Sequence, residues 1–382
     1  MTETATATKT GSRTAPPFRA DHVGSLLRPR RLLQARGDFA VGTIDAAELR
    51  RIEDESIREI VRKQEETGLQ SATDGEFRRA SWHMDFIYQL DGVTQEAGHI
   101  AVRFHNPDGD IEWTPAALHV SGKLGVSTTI FGDDFRFLQE TVTTSVPKLT
   151  IPSPSMVHYR SGKAHIDESI YPELDAFWSD LTAAYREEVR RLGDLGCAYL
   201  QVDDTSLAYM NDPHQRDYVE SIGGDHDRQH IEYIKHINES LADRPAGMRV
   251  TTHMCRGNFR SSWAADGSYD FVAEALLNDL QVDGFFMEWD DERSGGFEPL
   301  RFLPKGDKQV VLGLVTTKRG ELESKDELKR RIDEAARYAP IEQLCLSPQC
   351  GFSSTVEGNE LSEEQQWAKL ELIVETAREV WG

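Results

Sequence analysis

The sequence predicts a (β/α)₈ TIM barrel, an α/β fold in which eight parallel strands alternate with helices. Three observations support this fold: eight short apolar segments recur along the 382 residues, helical patterns separate most of them, and polar side chains follow several segments. The predicted strands lie in residues 18–25, 68–77, 147–156, 197–204, 248–255, 282–290, 309–318 and 343–352.

The helices between these segments are predicted from their end signals. Residues 45–67 begin after Asp45, which has capping-box spacing to a glutamate, and they stop at Gly68. Ser324 and Ser362 each precede a glutamate or glutamine by three residues, which is typical of a helix start.

One region interrupts the regular alternation. Residues 98–123 place Ile100, Val102 and Phe104 at every second position, turn at "NPDGD", and continue with further alternation. This pattern predicts a β-hairpin insertion between the second and third barrel strands.

Composition limits the classes of function. The net charge of −22 disfavours binding to nucleic acid or to an anionic membrane surface, and no apolar run approaches the ~18–20 residues that span a bilayer. Four cysteines do not form a disulfide framework. We expect a cytoplasmic enzyme with a disordered tail over residues 1–16 and one catalytic domain over residues 17–382.

Residues of types that commonly bind metal ions lie at the ends of three predicted strands. His253 and Cys255 are two residues apart, so they share one face of a strand, while Glu288 and Cys350 follow two other strands. At the mouth of a barrel these four groups would suit Zn²⁺. The alternative for the His253–Cys255 pair alone is an ordinary interior position.

The other two cysteines have different predicted roles. Cys345 lies five positions before Cys350, so in a regular strand it faces the opposite side and packs against a helix. Cys197 opens the fourth strand, where a small core residue is expected.

The motifs "THMC", "FMEWDD" and "SPQCG" strongly resemble the zinc-binding catalytic domain of cobalamin-independent methionine synthase. The resemblance extends over nearly the whole chain after the tail and is strongest to the short, single-barrel branch of the family. It implies that the four zinc ligands are His253, Cys255, Glu288 and Cys350. The same branch includes the zinc-dependent epoxyalkane:coenzyme M transferases.

The resemblance also implies contacts with an amino-acid substrate. "DHVGSLLRP" supplies Gly24 and Ser25 for the substrate carboxylate, "TDGEFRR" supplies Glu76, and "YLQVDDTSL" supplies Asp203 for the ammonium group. Two carboxylates that face one ammonium are physically reasonable in a pocket poor in water. The alternative is that Glu76 and Asp203 pair with the nearby Arg78 or Arg256.

The chain departs from the family pattern near the methyl donor. Where the long enzymes carry a histidine after the seventh strand, "GLVTTKRGEL" carries Lys318, a weaker acid that could still donate a proton. A solvated lysine is the alternative. Asp203 and Lys318 are therefore the candidate catalytic residues, and folate is the least secure part of the prediction.

These observations predict a zinc-dependent thiol alkyltransferase whose partners are a small thiol and an alkyl donor. The leading reaction moves a methyl group from 5-methyltetrahydrofolate, or another donor, to homocysteine. The rival reaction joins an epoxide to coenzyme M, whose sulfonate would need a cation such as Arg28, Arg78 or Arg256. A non-catalytic zinc- or thiol-binding protein and a uroporphyrinogen decarboxylase-like barrel remain as other classes.

Overall fold

A computed structural model describes residues 13–98, 102–107, 109–114, 117–160 and 162–382 of the chain. Residues 1–12 of the expected tail and Ile100 of the expected hairpin lie outside these ranges. Within the described residues, no helix is long and apolar enough to cross a membrane.

The fold is built on a curled parallel sheet of seven strands, which is consistent with a TIM-like barrel. Its strands follow one another in chain order, apart from four strands that lie outside the sheet. The sheet strands are β1 (Ser71–Ala72), β6 (Val146–Pro152), β7 (Tyr199–Asp204), β8 (Arg249–Met254), β9 (Gly284–Glu288), β10 (Gln309–Val315) and β11 (Leu344–Pro348).

Helices cover the outside of the sheet, and their apolar faces pack against the strands in one hydrophobic core. The α-helices are α1 (Arg30–Ala40), α2 (Ala46–Thr67), α3 (Met84–Ile87), α4 (Gly132–Thr141), α5 (Ser155–His158), α6 (Leu174–Asp194), α7 (Ser206–Tyr209), α8 (Pro213–Ser221), α9 (Gln229–Leu241), α10 (Ala273–Asp279), α11 (Lys325–Ala335) and α12 (Glu363–Trp381). Short 3₁₀ helices lie at Gly162–His165, Tyr269–Phe271, Glu292–Ser294, Glu298–Phe302 and Ile341–Gln343.

The helix ends agree with the capping signals. The Asp45 carboxylate accepts the backbone N–H of Glu48 at 2.8 Å, and Gly68 ends α2 in the left-handed conformation. Ser362 begins α12 with a complete capping box. Ser324 is the first residue before α11, although its side chain makes no capping hydrogen bond there.

The prediction of a regular strand at residues 18–25 is wrong. This segment forms one parallel bridge, between Ala20 and Leu346 of β11, and the N–H of Leu26 bonds to Gly75 O beyond β1. The segment departs from regular strand pairing because the Asp21 carboxylate accepts hydrogen bonds from the backbone N–H groups of Phe18 and His22.

The second predicted strand, residues 68–77, is reduced to the two residues of β1. The chain turns immediately afterwards, because Gly75 and Glu76 both have positive φ values, +67° and +59°. The turn also explains the shortening, since the Asp74 carboxylate accepts the N–H of Glu76. Each of the other six predicted segments contains a sheet strand.

Four strands lie between β1 and β6 in the sequence and form two antiparallel pairs. The outer pair is β2 (Asp91–Glu96) with β5 (Ala117–Gly125), and the inner pair is β3 (Val102–Asn106) with β4 (Gly109–Trp113). The inner pair contacts the barrel loops through reciprocal backbone hydrogen bonds between His105 and Trp263.

The prediction that Cys345 packs against a helix is also wrong. Cys345 is fully buried with Val23, Phe286 and Val311, which form a separate cluster inside the curled sheet. The prediction assumed an unbroken strand through residue 352, but β11 ends at Pro348. Strict side-chain alternation therefore does not connect Cys345 with Cys350.

Candidate metal and substrate site

His253, Cys255, Glu288 and Cys350 converge on one point at the carboxyl ends of the sheet strands. One ligand atom from each residue lies within 4.8 Å of the others. The Sγ atom of Cys350 lies 3.4 Å from His253 Nε2 and 3.5 Å from Cys255 Sγ. All four side chains are buried, with at most 7% of any residue exposed.

The register of the sheet explains this convergence. His253 lies in β8 opposite Phe286 of β9, so Glu288, two residues farther along β9, shares the same face at the strand end. The register between β10 and β11 shifts after Gly313. A Cβ atom on Gly313 would lie 2.7 Å from the Cα atom of Gln349, so a glycine here lets the turn that carries Cys350 approach closely.

The surrounding groups favour one thiolate in the cluster. Cys255 donates a hydrogen bond to Cys350, and together with the nearby His253 imidazole it lowers the pKa of Cys350 well below its ordinary value. The same hydrogen bond and burial raise the pKa of Cys255. Burial alone would lower the pKa of His253, but the adjacent Cys350 raises it.

Glu288 is surrounded by hydrogen-bond donors and cations. Its Oε1 accepts the backbone N–H of Arg256 at 2.9 Å, and its Oε2 lies 3.1 Å from Arg293 Nη2 and 4.0 Å from Lys318 Nζ. Burial raises the pKa of Glu288, while Lys318 and Arg293 oppose that shift. Asp290 links the two cations, since it lies 3.0 Å from Arg293 and 3.4 Å from Lys318.

The residues present fit a tetrahedral Zn²⁺ ion. A separation of 3.5 Å between the sulfur atoms of Cys255 and Cys350 is too long for a disulfide, whose S–S bond is about 2.05 Å. It is close to the ~3.8 Å that separates two sulfur ligands placed ~2.3 Å from one tetrahedral ion. One imidazole, one carboxylate and two thiolates form a ligand set that zinc accepts.

Glu76 lies beside Gly24, and the family resemblance implies that both residues contact the substrate. Glu76 Oε1 accepts Thr150 Oγ1 at 2.8 Å and lies 3.6 Å from Arg79 Nη1, while its Oε2 is buried without a partner among the described residues. Burial raises the pKa of Glu76. Gly24 adopts φ +147°, and a Cβ there would lie 2.8 Å from the Thr150 methyl group, so only glycine fits this position without strain.

Asp203 lies opposite His253 in the β7–β8 ladder and is 6% exposed. Gln201 Nε2 donates to Asp203 Oδ1 at 2.6 Å, and burial raises the pKa of Asp203 to about 7. Asp204 points away from this site and accepts the N–H of Leu207 at 2.7 Å, which caps the turn after β7.

Ser25 lies against the turn that follows Cys350. Its hydroxyl accepts the N–H of Ser353 at 3.3 Å, and a Cβ on Gly351 would lie 2.0 Å from Ser25 Oγ. The segment with Gly24 and Ser25 therefore contacts both the Cys350 turn and, through Gly24, the Glu76 turn.

The three arginines considered as sulfonate receptors have other partners. Arg28 donates to four backbone carbonyl groups on the 76–79 and 353–355 turns, and Arg78 lies beside Asp54 and other acidic side chains. Arg256 donates to Gly267 O and packs over the Tyr269 ring. Arg78 and Arg256 thus do not pair with Glu76 or Asp203.

Several site residues were missed in the sequence. Arg79, Gln201, Asp290 and Arg293 contact the candidate site residues. Gln201 and Asp290 had a readable signal, because each lies two positions from a candidate residue within a predicted strand. The other two contacts depend on turns whose geometry a linear pattern does not define.

A cavity of about 680 Å³ lies beside Lys318. Its walls include Trp263, Asp290 and Arg319, together with Asn106 from the β3 strand. Lys318 is 7% exposed and paired with Asp290, so the predicted alternative of a solvated lysine is wrong. The cavity provides space for a second reactant next to the candidate metal centre.

Residues 128–379 match the family model described as "Cobalamin-independent synthase, Catalytic domain". The chain belongs to the cobalamin-independent methionine synthase family. It is 48% identical over 373 residues to the uncharacterized protein YxjH of Bacillus subtilis, an alignment that covers 98% of this chain and 97% of the relative. It is 24% identical over 331 residues to a methionine synthase of Sulfolobus acidocaldarius, covering 86% and 84% of the two chains.

Solved structures agree with the family assignment. A Listeria monocytogenes protein described as a vitamin-B12-independent methionine synthase is 40% identical to this chain, with a TM-score of 0.76. The match covers 97% of this chain and 100% of the Listeria chain. A B12-independent methionine synthase of a Shewanella species, solved with selenomethionine, has a TM-score of 0.67 at 18% identity, covering 95% and 97% of the chains, and supports the fold alone.

The two buried cysteines on and after β11 provide a matched test of the metal cluster. We predict that Cys350→Ser binds one zinc ion fewer than the unmodified protein, because a serine hydroxyl is a much poorer zinc ligand than a thiolate. Cys345→Ser should retain zinc, because its Sγ lies near Pro17 and Gln309 inside the sheet, away from the cluster. Metal analysis of both purified variants, with circular dichroism to verify folding, measures the difference. Equal zinc loss in the two variants would contradict the assignment.

Proposed function

We propose that this chain is a zinc-dependent thiol methyltransferase that methylates the sulfur of homocysteine to give methionine. The observation that carries the proposal is the buried convergence of His253, Cys255, Glu288 and Cys350 at the carboxyl edge of a barrel-like sheet. Family membership supports methyl transfer as the reaction class. Storage of zinc alone would not require the polar groups around the cluster.

The four cluster residues would hold the zinc ion. Bound zinc would lower the pKa of a substrate thiol and keep the resulting thiolate at the site. The protein ligands carry about three negative charges, so this environment favours a nucleophilic sulfur over the splitting of water. Glu288 is the ligand that the substrate thiol would displace most easily, because the Arg256 N–H, Arg293 and Lys318 already compensate the charge of its carboxylate. A cytoplasmic setting, where thiols remain reduced, suits this chemistry.

The amino-acid part of homocysteine would be held beside the cluster. Glu76 presents a buried carboxylate oxygen that lacks a partner in the described chain, and Asp203 lies next to His253 on the neighbouring strand. Both carboxylates suit an ammonium group, which would also restore their charged forms in this buried setting. Ser25 and the backbone at Gly24 lie on the opposite segment, where the substrate carboxylate would bind.

The transfer forms one bond and breaks another. The homocysteine sulfur forms a new S–CH₃ bond, the bond between the methyl group and its donor breaks, and the thiol proton is released to solvent. With 5-methyltetrahydrofolate as the donor, the leaving nitrogen must gain a proton. We assign that step to Lys318, and its position at the wall of the adjacent cavity, paired with Asp290, supports the assignment.

Charge favours homocysteine over coenzyme M. A sulfonate needs a cation in the thiol pocket, but Arg28 and Arg78 are committed to other partners and Arg256 packs on Tyr269. Glu76 and Asp203 are anionic when charged and would repel a sulfonate, and the guanidinium beside them, Arg79, already pairs with Glu76 at 3.6 Å.

We therefore predict that the zinc-loaded protein accelerates methylation of homocysteine by iodomethane, a small methyl donor that needs no folate site. Coenzyme M should be methylated at the rate of the free thiol. Mass spectrometry of methionine and S-methyl-coenzyme M measures the two products in one competition experiment. Glu76→Gln should raise the KM for homocysteine, because one carboxylate that faces the ammonium group is lost.

Faster methylation of coenzyme M than of homocysteine would contradict the proposal and favour the epoxide reaction. Glu55→Gln is a matched control, since Glu55 is a half-exposed glutamate on α2 that pairs with Arg51. Its KM should equal that of the unmodified protein.

Lys318 provides a separate prediction about the donor. We expect Lys318→Met to lower kcat with 5-methyltetrahydrofolate by roughly 10²–10⁴-fold, which is the typical value of a general acid. Methylation by iodomethane should be little changed, because iodide leaves without a proton. Lys325→Met, on the outer face of α11, is the control variant. Equal losses with both donors would assign Lys318 a structural role instead.

A further inference from the structure

We propose a second divalent-metal site on the outer antiparallel pair, formed by Glu96, His119 and His165. One ligand atom from each of these side chains lies within 4.8 Å of the others. Glu96 Oε1 lies 3.9 Å from His119 Nδ1, and Glu96 Oε2 lies 3.7 Å from His165 Nδ1. This site is distinct from the buried cysteine cluster and does not depend on the proposed methyl transfer.

The backbone brings three separate segments together at this point. Glu96 ends β2, and His119 lies in β5 opposite Thr94, so the carboxylate and the imidazole are diagonal neighbours on one face. His165 ends the 3₁₀ helix, and the chain then pairs with β5 through a bridge between Val120 and Ile166. The three side chains are therefore fixed on ordered backbone.

The contacts among these groups favour an ion over direct hydrogen bonding. Distances of 3.7 and 3.9 Å from the Glu96 carboxylate are too long for hydrogen bonds to the imidazoles. Ligands placed ~2.0–2.2 Å from one ion lie at most ~4.4 Å apart, so the separations of 3.7 and 3.9 Å between Glu96 and the two imidazoles are compatible with a shared ion. His165 Nδ1 also lies 2.9 Å from Leu118 O. Binding of the ion through Nε2 would keep this backbone contact, which is of the kind that orients metal-binding histidines, whereas binding through Nδ1 would replace it.

The ligand types define the class of ion. Two imidazoles and one carboxylate suit Zn²⁺ or another borderline divalent metal, with solvent completing the coordination. The side chains are partly exposed, at 44% for Glu96, 29% for His119 and 14% for His165, so an ion can reach them from solvent. A bound ion would connect the β2–β5 pair to the segment between α5 and α6.

Zinc titration of the chelator-treated full chain tests this site. At a pH where histidine is neutral, the unmodified protein should bind two zinc ions, and His119→Ala or Glu96→Gln should bind one fewer. His105→Ala is the matched control, because His105 is an exposed strand histidine next to a carboxylate, Asp110, without a second imidazole. It should keep both ions. Equal stoichiometry in the unmodified protein and His119→Ala would overturn the proposal.

The two proposed metal sites can be tested independently of each other. In the Cys350→Ser background the second site should still bind one ion, and zinc should raise the Tm of that variant. Adding His119→Ala to the same background should abolish both the binding and the rise in Tm. A rise in Tm that survives His119→Ala would place the ion elsewhere and contradict the proposal.

Discussion

The convergence of parallel strand ends is the constraint on which this molecule depends. Because β8, β9 and β11 run in the same direction, their carboxyl ends bring His253, Glu288 and Cys350 to one edge of the sheet. Burial of these polar groups is costly, and the protein offsets part of that cost with Arg293 and the backbone N–H of Arg256. A divalent ion that accepts all four ligands would offset more.

A second polar network holds residues 18–25 against this edge. Asp21 accepts hydrogen bonds from Ser71 of β1 and Tyr199 of β7, and it pairs with the fully buried Lys148 of β6. These contacts fix residues 18–25 between β11 and β1, where regular strand pairing is reduced to one bridge. The positions of Gly24 and Ser25 depend on that placement, so the interior ion pair supports the proposed substrate contacts.

Much of this architecture could be predicted from the sequence, because strand and helix signals are local. Seven of the eight predicted segments contain sheet strands, and the four proposed zinc ligands converge as their positions at strand ends required. The failures have physical causes: Asp21 diverts the backbone of the first segment, and the end of β11 at Pro348 breaks the alternation that was applied to Cys345. Partners such as Arg293 come from turns, whose geometry no periodic pattern specifies.

The central claim is that the buried cluster binds a substrate sulfur at zinc. Zinc K-edge X-ray absorption tests it most directly on the purified His119→Ala protein loaded with one zinc ion per chain, so that the signal comes from the buried cluster. Spectra are recorded before and after the addition of homocysteine. The account predicts that the number of sulfur neighbours of zinc rises by one, from the two supplied by Cys255 and Cys350. Bound zinc whose sulfur coordination stays unchanged with homocysteine would contradict it.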